Sequence, residues 1–292
     1  MRWMLAVAVL CSLAWFVAPL SAAGAPRFTP YSGPLAYGLE IAPPWEDGGT
    51  LIINLPEHLE VWPSTQGILR HNDKAPKGHW EVSADGRAAT LDVESSTMPG
   101  VFVKGTGAVA GNDRIELTMR IENRTERALP AIRPLYCFHY RHLAGFPQWI
   151  GNFKHTYVLI GGKAIALADI PTEKADADVK GAYVRGCTQR DSDAFPKGRG
   201  GLIEDRELDA AIIAVEALEG ARKVVMAWTP GKSMLSNAAI PCAHGDPFYG
   251  SIPAGEAREA KGIVWFTEKP VEEAMKELFA AGHGAPPSPA GQ

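Results

Sequence analysis

Two short stretches carry most of the side chains that could do chemistry. "CFHYRH", residues 137–142, sets Cys137, His139 and Arg141 on alternate positions, and "PCAHGDP", residues 241–247, does the same for Cys242, His244 and Asp246. In an extended strand alternate residues share a face, so each trio points to one side. An imidazole titrates near neutrality and can give or take a proton, and a carboxylate two positions away can serve as its counterpart. His139, His244 and Asp246 are therefore the candidate catalytic groups, on condition that both stretches face one ligand within about 3 Å or through one water. The same stretches have a second chemistry. As neighbouring strands they would bring Cys137, His139, Cys242 and His244 close enough to surround Zn²⁺ tetrahedrally. The spacing of two to four residues between paired cysteines that marks structural zinc sites is absent. The expectation is thus no cofactor, with zinc at these four residues as the exception, and the plainer roles for Cys137 and Cys242 are a disulfide or a small buried hydrophobe.

Beside the first stretch, Arg141, His142, Gln148 and Trp149 supply a guanidinium, an imidazole, an amide and a flat aromatic face. That mixture suits a polar ring such as a sugar, and Arg133 is a further hydrogen-bonding candidate. Most of the other tryptophans, among them Trp45, Trp62, Trp80 and Trp228, are expected in the core. A serine hydrolase is not expected, because no Gly-x-Ser-x-Gly elbow occurs. The glycines around Arg199 do not follow a strand in phosphate-loop spacing, so no nucleotide site is expected there.

The elements that must position these residues are strands. "RIELTMRIEN" alternates Ile115, Leu117, Met119 and Ile121 with charged and polar residues, the pattern of a half-buried antiparallel strand. "HWEVSADGRAATLDVES" reads as two strands around an Asp85-Gly86 turn, and "YVLIGGKAIAL" as a hairpin around Gly161-Gly162. "TLIINL", "GVFVKG", "GAYVRG", "AAIIAVEA", "KVVMAWT" and "GIVWFTE" add further short strands without alternating helices, which indicates an all-β sandwich or barrel. Residues 171–201 read as a long polar, turn-rich segment. Near the end, Pro270 opens a helix with an apolar stripe of Val271, Ala274, Met275 and Leu278, stopped at Gly282.

Two segments carry a family resemblance. In "MRIENRTERALPAIRPLYCFHYRHLAGF", Asn123 and Thr125 form an Asn-x-Thr turn, followed by His139-Tyr140 and then Leu143-Ala144-Gly145. This resembles a strand pair of the galactose-mutarotase family. Ile252-Pro253-Ala254-Gly255-Glu256, followed by "AREAKGIVWF", is similar to the turn and final strand that close that family's sandwich. The resemblance covers roughly a quarter of the chain. It implies a large two-layer antiparallel supersandwich with a sugar on its concave face, a histidine as general acid and a glutamate as general base. His139 stands in the place resembling the acid, with His142 as its neighbour and rival. Cys242-Ala243-His244-Gly245-Asp246 stands where the family carries its glutamate, which is missing. His244 or Asp246 is left as the base, since Glu256 belongs to a surface turn.

The first 23 residues combine Arg2, an apolar run from Trp3 to Leu20 and the small residues Ser21, Ala22 and Ala23. This is the pattern of a cleaved secretory signal, which predicts a secreted or periplasmic protein without stable membrane insertion. The expected divisions are a signal peptide at 1–23, a β-supersandwich at 24–269, and a C-terminal helix with a disordered tail at 270–292. A formal net charge of −4 gives no field for nucleic acid, which is not expected as a partner. Together these features predict an exported carbohydrate-active or carbohydrate-binding protein, an epimerase-like isomerase or a lyase if catalytic. The alternative is a non-catalytic exported binding or accessory module stabilised by a disulfide or a Cys/His metal site.

Overall fold

The computed structural model describes residues 24–64, 66–74, 78–148, 152–172, 174, 177–190, 201–203 and 206–288. The segment 1–23, expected as a signal peptide, and Trp149 lie outside them. The first strands in chain order are β1 (Arg27–Thr29), β2 (Gly38–Ala42), β3 (Leu51–Val61), β4 (Gln66–Arg70), β5 (Glu81–Val82), β6 (Ala88–Glu94), β7 (Val101–Ala110), β8 (Arg114–Asn123) and β9 (Ile132–His139). They are followed by β10 (Thr156–Ile160), β11 (Lys163–Ala166), β12 (Val179–Tyr183), β13 (Ile212–Glu216), β14 (Lys223–Thr229), β15 (Gly231–Asn237), β16 (Cys242–Pro247) and β17 (Ala257–Thr267), then helix α1 (Val271–Ala280).

These strands form the expected all-β sandwich of two antiparallel sheets. One sheet runs β1-β2-β3-β9-β16-β15-β12 with β4 attached to β3, and the other runs β11-β10-β13-β14-β17-β8-β7-β6-β5. The alternation read from β8 is realised: Ile115, Leu117, Met119 and Ile121 are buried between the sheets. Opposite them, β3 contributes Leu51, Ile53, Leu55, Leu59 and Val61, and β9 contributes Tyr136 and Phe138. Tyr136 meets Trp228 edge-on at 4.9 Å, which ties β9 to β14 across the layers. Gly245 of β16 lies against the Trp228 ring, where an added Cβ would come within 2.7 Å of it. The Gly245 position therefore faces inward, and His244 and Asp246 beside it face away from the other sheet.

Helix α1 closes the back of the second sheet. Ala274, Met275 and Leu278 bury a stripe against Leu159, Ile212, Val225 and Trp265, so β13 and β14 are apolar on both faces. The helix stops at Gly282, which has φ of +84°, as the sequence indicates. Four strands, β1, β2, β4 and β15, are not read from the sequence. β15, "GKSMLSN", is rich in Gly, Ser and Lys, yet it is paired on both sides, by β16 and β12, with Met234 in the inter-sheet core and Leu235 buried. A strand covered on both sides needs no alternation, and short side chains suit crowded neighbours.

Candidate functional site

The two Cys-x-His stretches are hydrogen-bonded neighbours. β16 pairs antiparallel with β9, with Cys242 opposite His139 and His244 opposite Cys137. Residues directly opposite share a face, so all four side chains gather on the side of the sheet away from the inter-sheet core. The Cys137 Sγ is 3.3 Å from the His139 Nε2, and the Cys242 Sγ is 3.2 Å from the His244 Nε2. Donor atoms of Cys137, His139 and Cys242 lie within 4.8 Å of one another. Cys137, Cys242 and His244 are buried and His139 is partly so.

All three described cysteines are free thiols. Cys137 and Cys242 are diagonal in the register, and diagonal partners have Cα atoms about 7–8 Å apart, beyond ordinary disulfide span. Of the structural roles expected for the pair, this register favours a shared hydrogen bond over a covalent bridge. Cys187 is also buried, with its thiol toward the Gln189 carbonyl.

The charge pattern follows from these contacts. A hydrogen bond from Cys137 and the neighbouring His244 hold the Cys242 thiol well below its ordinary value against the effect of burial. Burial, with the adjacent Cys242 thiolate, pushes Cys137 the other way. For His244 burial favours the neutral ring, but the Cys242 thiolate, Glu57 and Asp246 together raise it to about 9. His139 is lowered, first by burial. These contacts favour the thiolate at Cys242 and the imidazolium at His244 and oppose ionisation of Cys137.

A carboxylate not anticipated from sequence completes the group. In β3, Asn54 pairs with Cys137 but His58 pairs with Leu135, so the segment between them bulges by two residues. Bulges re-aim side chains, and this one brings Glu57 over the quartet, with its Oε2 3.7 Å from the His244 Nδ1. Asn237 on β15 supplies another partner, its amide donating to the Cys242 Sγ at 3.0 Å and lying 3.2 Å from the His244 Nε2. Pro56 inside an apolar strand was the available signal for the bulge. Nothing local in "SMLSN" marks Asn237.

The other expected residues fall in two places. Asp246 is fully buried, its Oδ2 accepts from the Ser233 Oγ at 2.8 Å, and burial raises its pKa. Arg141 and His142 sit on the exposed turn after β9, where the Arg141 Nε donates to the His142 Nε2 at 3.0 Å. The Gln148 amide donates back to the Phe146 carbonyl at 3.0 Å. Arg133 is bound to Glu60, which Arg70 also contacts at 2.5 Å. Trp80 and Trp228 are core residues, whereas Trp62 is exposed beneath the Arg133 guanidinium. A cavity of about 350 Å³ lined by Asp47, Gly145, Glu219, Arg222 and Glu268 includes none of the expected site residues.

No protein-family model matches the chain, and no curated protein matches it. Solved structures similar to it include the Slr1438 protein of Synechocystis sp. PCC 6803, at 11% identity and TM-score 0.44 over 84% of this chain and 93% of that one. A GalM/aldose epimerase homologue from C. elegans is similar at 9% identity and TM-score 0.33, over 65% of this chain and 68% of that one. A polysaccharide lyase is similar at 10% identity and TM-score 0.40, over 88% of this chain and 35% of that one.

Proposed function

We propose that this chain is an exported β-sandwich binding module that holds one zinc ion between β9 and β16. Its ligands are Cys137, His139, Cys242 and His244. The reading is carried by the β9–β16 register, which sets a thiol opposite an imidazole twice over on one sheet face. Neighbouring donors on a tetrahedral zinc stand about 3.3–3.8 Å apart, and the S–N separations of 3.3 Å for Cys137–His139 and 3.2 Å for Cys242–His244 are already near that. Two sulfur and two imidazole donors suit zinc better than magnesium or calcium, which take oxygen ligands. Asn237 has the position of an outer partner that orients a ligand sulfur. Burial of three of the four ligands makes a closed, structural role the better fit.

The test is elemental analysis and native mass spectrometry of the protein purified without chelator. One zinc per chain at this site, lost on Cys242→Ser and on Cys137→Ser, is the expected result. Full metal content in both variants would sink the reading.

A second reading has one observation in its favour: Glu57 brings to His244 the glutamate that the resemblance calls for and the local sequence lacks. On that reading His139 and Glu57 act as acid and base on a sugar. Isothermal titration with mono- and oligosaccharides would then give heat that Glu57→Gln and His139→Ala abolish, whereas no heat from any sugar would exclude it.

A further inference from the structure

Glu57 has a second set of neighbours. Its Oε1 lies 4.0 Å from the His58 Nε2, and that nitrogen lies 3.2 Å from the His71 Nδ1. The two rings stand edge to face with centroids 4.9 Å apart, and donor atoms of Glu57, His58 and His71 fall within 4.8 Å of one another. The backbone holds this geometry in place. His71 N–H donates to the Glu57 carbonyl at 2.7 Å, which clamps the turn after β4 onto the bulge of β3. All three residues are partly exposed.

On its other side the carboxylate faces the quartet. The Glu57 Oε2 and the His244 Nδ1 are 3.7 Å apart, too far for a hydrogen bond, and neither atom has a partner elsewhere among the described residues. A buried polar atom without a hydrogen bond is unfavourable. An ion or a bound water reaching that oxygen would relieve the cost. Glu57 thus offers Oε1 toward His58 and Oε2 toward the His244 Nδ1, the ring nitrogen turned away from Cys242, so one carboxylate links the two clusters by orienting that imidazole.

We infer that His58, His71 and Glu57 form a second divalent-cation site, linked to the zinc of the quartet through the contact of Glu57 with His244. The link, though not the trio itself, rests on the zinc reading above. Two imidazoles and one carboxylate are a ligand set that leaves coordination positions open. With the trio partly exposed, those positions face water, so this ion can exchange and can meet a further ligand.

The experiment loads the metal-free full chain with Zn²⁺ and, separately, Co²⁺, and reads stoichiometry by native mass spectrometry and thiolate–cobalt absorption in the near ultraviolet. Two ions per chain are expected. His71→Ala and His58→Gln should each retain one ion with the thiolate bands unchanged, and Glu57→Gln should weaken both ions at least tenfold. One ion in the wild type and in both histidine variants would overturn the second site and leave the quartet standing, as would two ions in all three. A single wild-type ion that survives Cys137→Ser/Cys242→Ser but is lost in His71→Ala would support the trio and overturn the quartet. No bound ion in any form would overturn both, and weakening of only one ion in Glu57→Gln would overturn the link.

Discussion

The quartet and the trio sit on one face of one sheet, yet they are built in opposite ways. Cys137, His139, Cys242 and His244 come from regular strands, and their convergence is a direct product of antiparallel register. Glu57 comes from a two-residue bulge and His71 from the turn after β4, and His58 is the first paired residue beyond the bulge. Regular pairing delivers ligands in opposed couples and buries them beneath neighbouring strands. An irregular segment delivers fewer ligands and leaves them partly exposed. The first construction suits an ion that stays, and the second suits an ion that exchanges.

The largest difference should appear when the ions are removed. At free zinc a hundredfold above Kd, a site contributes about 2.7 kcal/mol to stability, which is roughly 5–10 °C in Tm for a domain of this size. Cys242→Ser should abolish that zinc-dependent gain, and a strong chelator should do the same to the wild type. The protein should stay folded in both cases, because the core between the sheets includes Trp228, Tyr136 and Phe138 and does not depend on the ion. His71→Ala should change the chelator-sensitive Tm by less than about 2 °C. Equal losses in the two variants, measured by thermal melts with and without chelator, would erase the contrast.

A middle-sized effect separates the partners that orient the ligands. Asn237→Ala removes the amide that donates to Cys242 and should weaken the quartet's ion about 10–100-fold, the usual cost of losing such a partner, with no change at the trio. Competition with a calibrated zinc indicator reads both affinities. An unchanged quartet affinity would mean that the hydrogen bond seen here does not support the bound sulfur.

How far the sequence led follows the same division between regular and irregular segments. Period-two alternation in β8 and the Gly161-Gly162 hairpin between β10 and β11 were legible because each depends on residues adjacent in the chain. The shared face of Cys242, His244 and Asp246 was legible for the same reason. The pairing of β16 with β9 was only a condition, since register between segments about a hundred residues apart has no local signature. β15 escaped because a strand buried on both faces loses its alternation, and Asn237 escaped with it. Glu57, His58 and His71 escaped because a bulge sets side-chain direction by a count across two strands, which one strand does not reveal. Asp246 shares the quartet's face, but its full burial is a tertiary effect of β15 beside it.

The smallest effect is a count of protons, and it is the sharpest test of how the two sites differ. A zinc site needs thiolates and neutral imidazoles. In the quartet, Cys242 is already held as a thiolate, whereas burial keeps Cys137 protonated and His244 is raised to about 9. Zinc binding there at neutral pH must therefore release about two protons, one from Cys137 and one from His244. Because protons compete with the ion, affinity should fall as pH falls, by about a hundredfold per unit near neutrality. At the trio, burial lowers the pKa of His58, so that ring is neutral before the ion arrives and contributes no proton. Calorimetry of zinc binding in buffers of different ionisation enthalpy should find the proton-releasing component lost in Cys137→Ser and kept in His71→Ala. Release that persists in Cys137→Ser but disappears in His71→Ala would reverse the assignment of the closed and open sites.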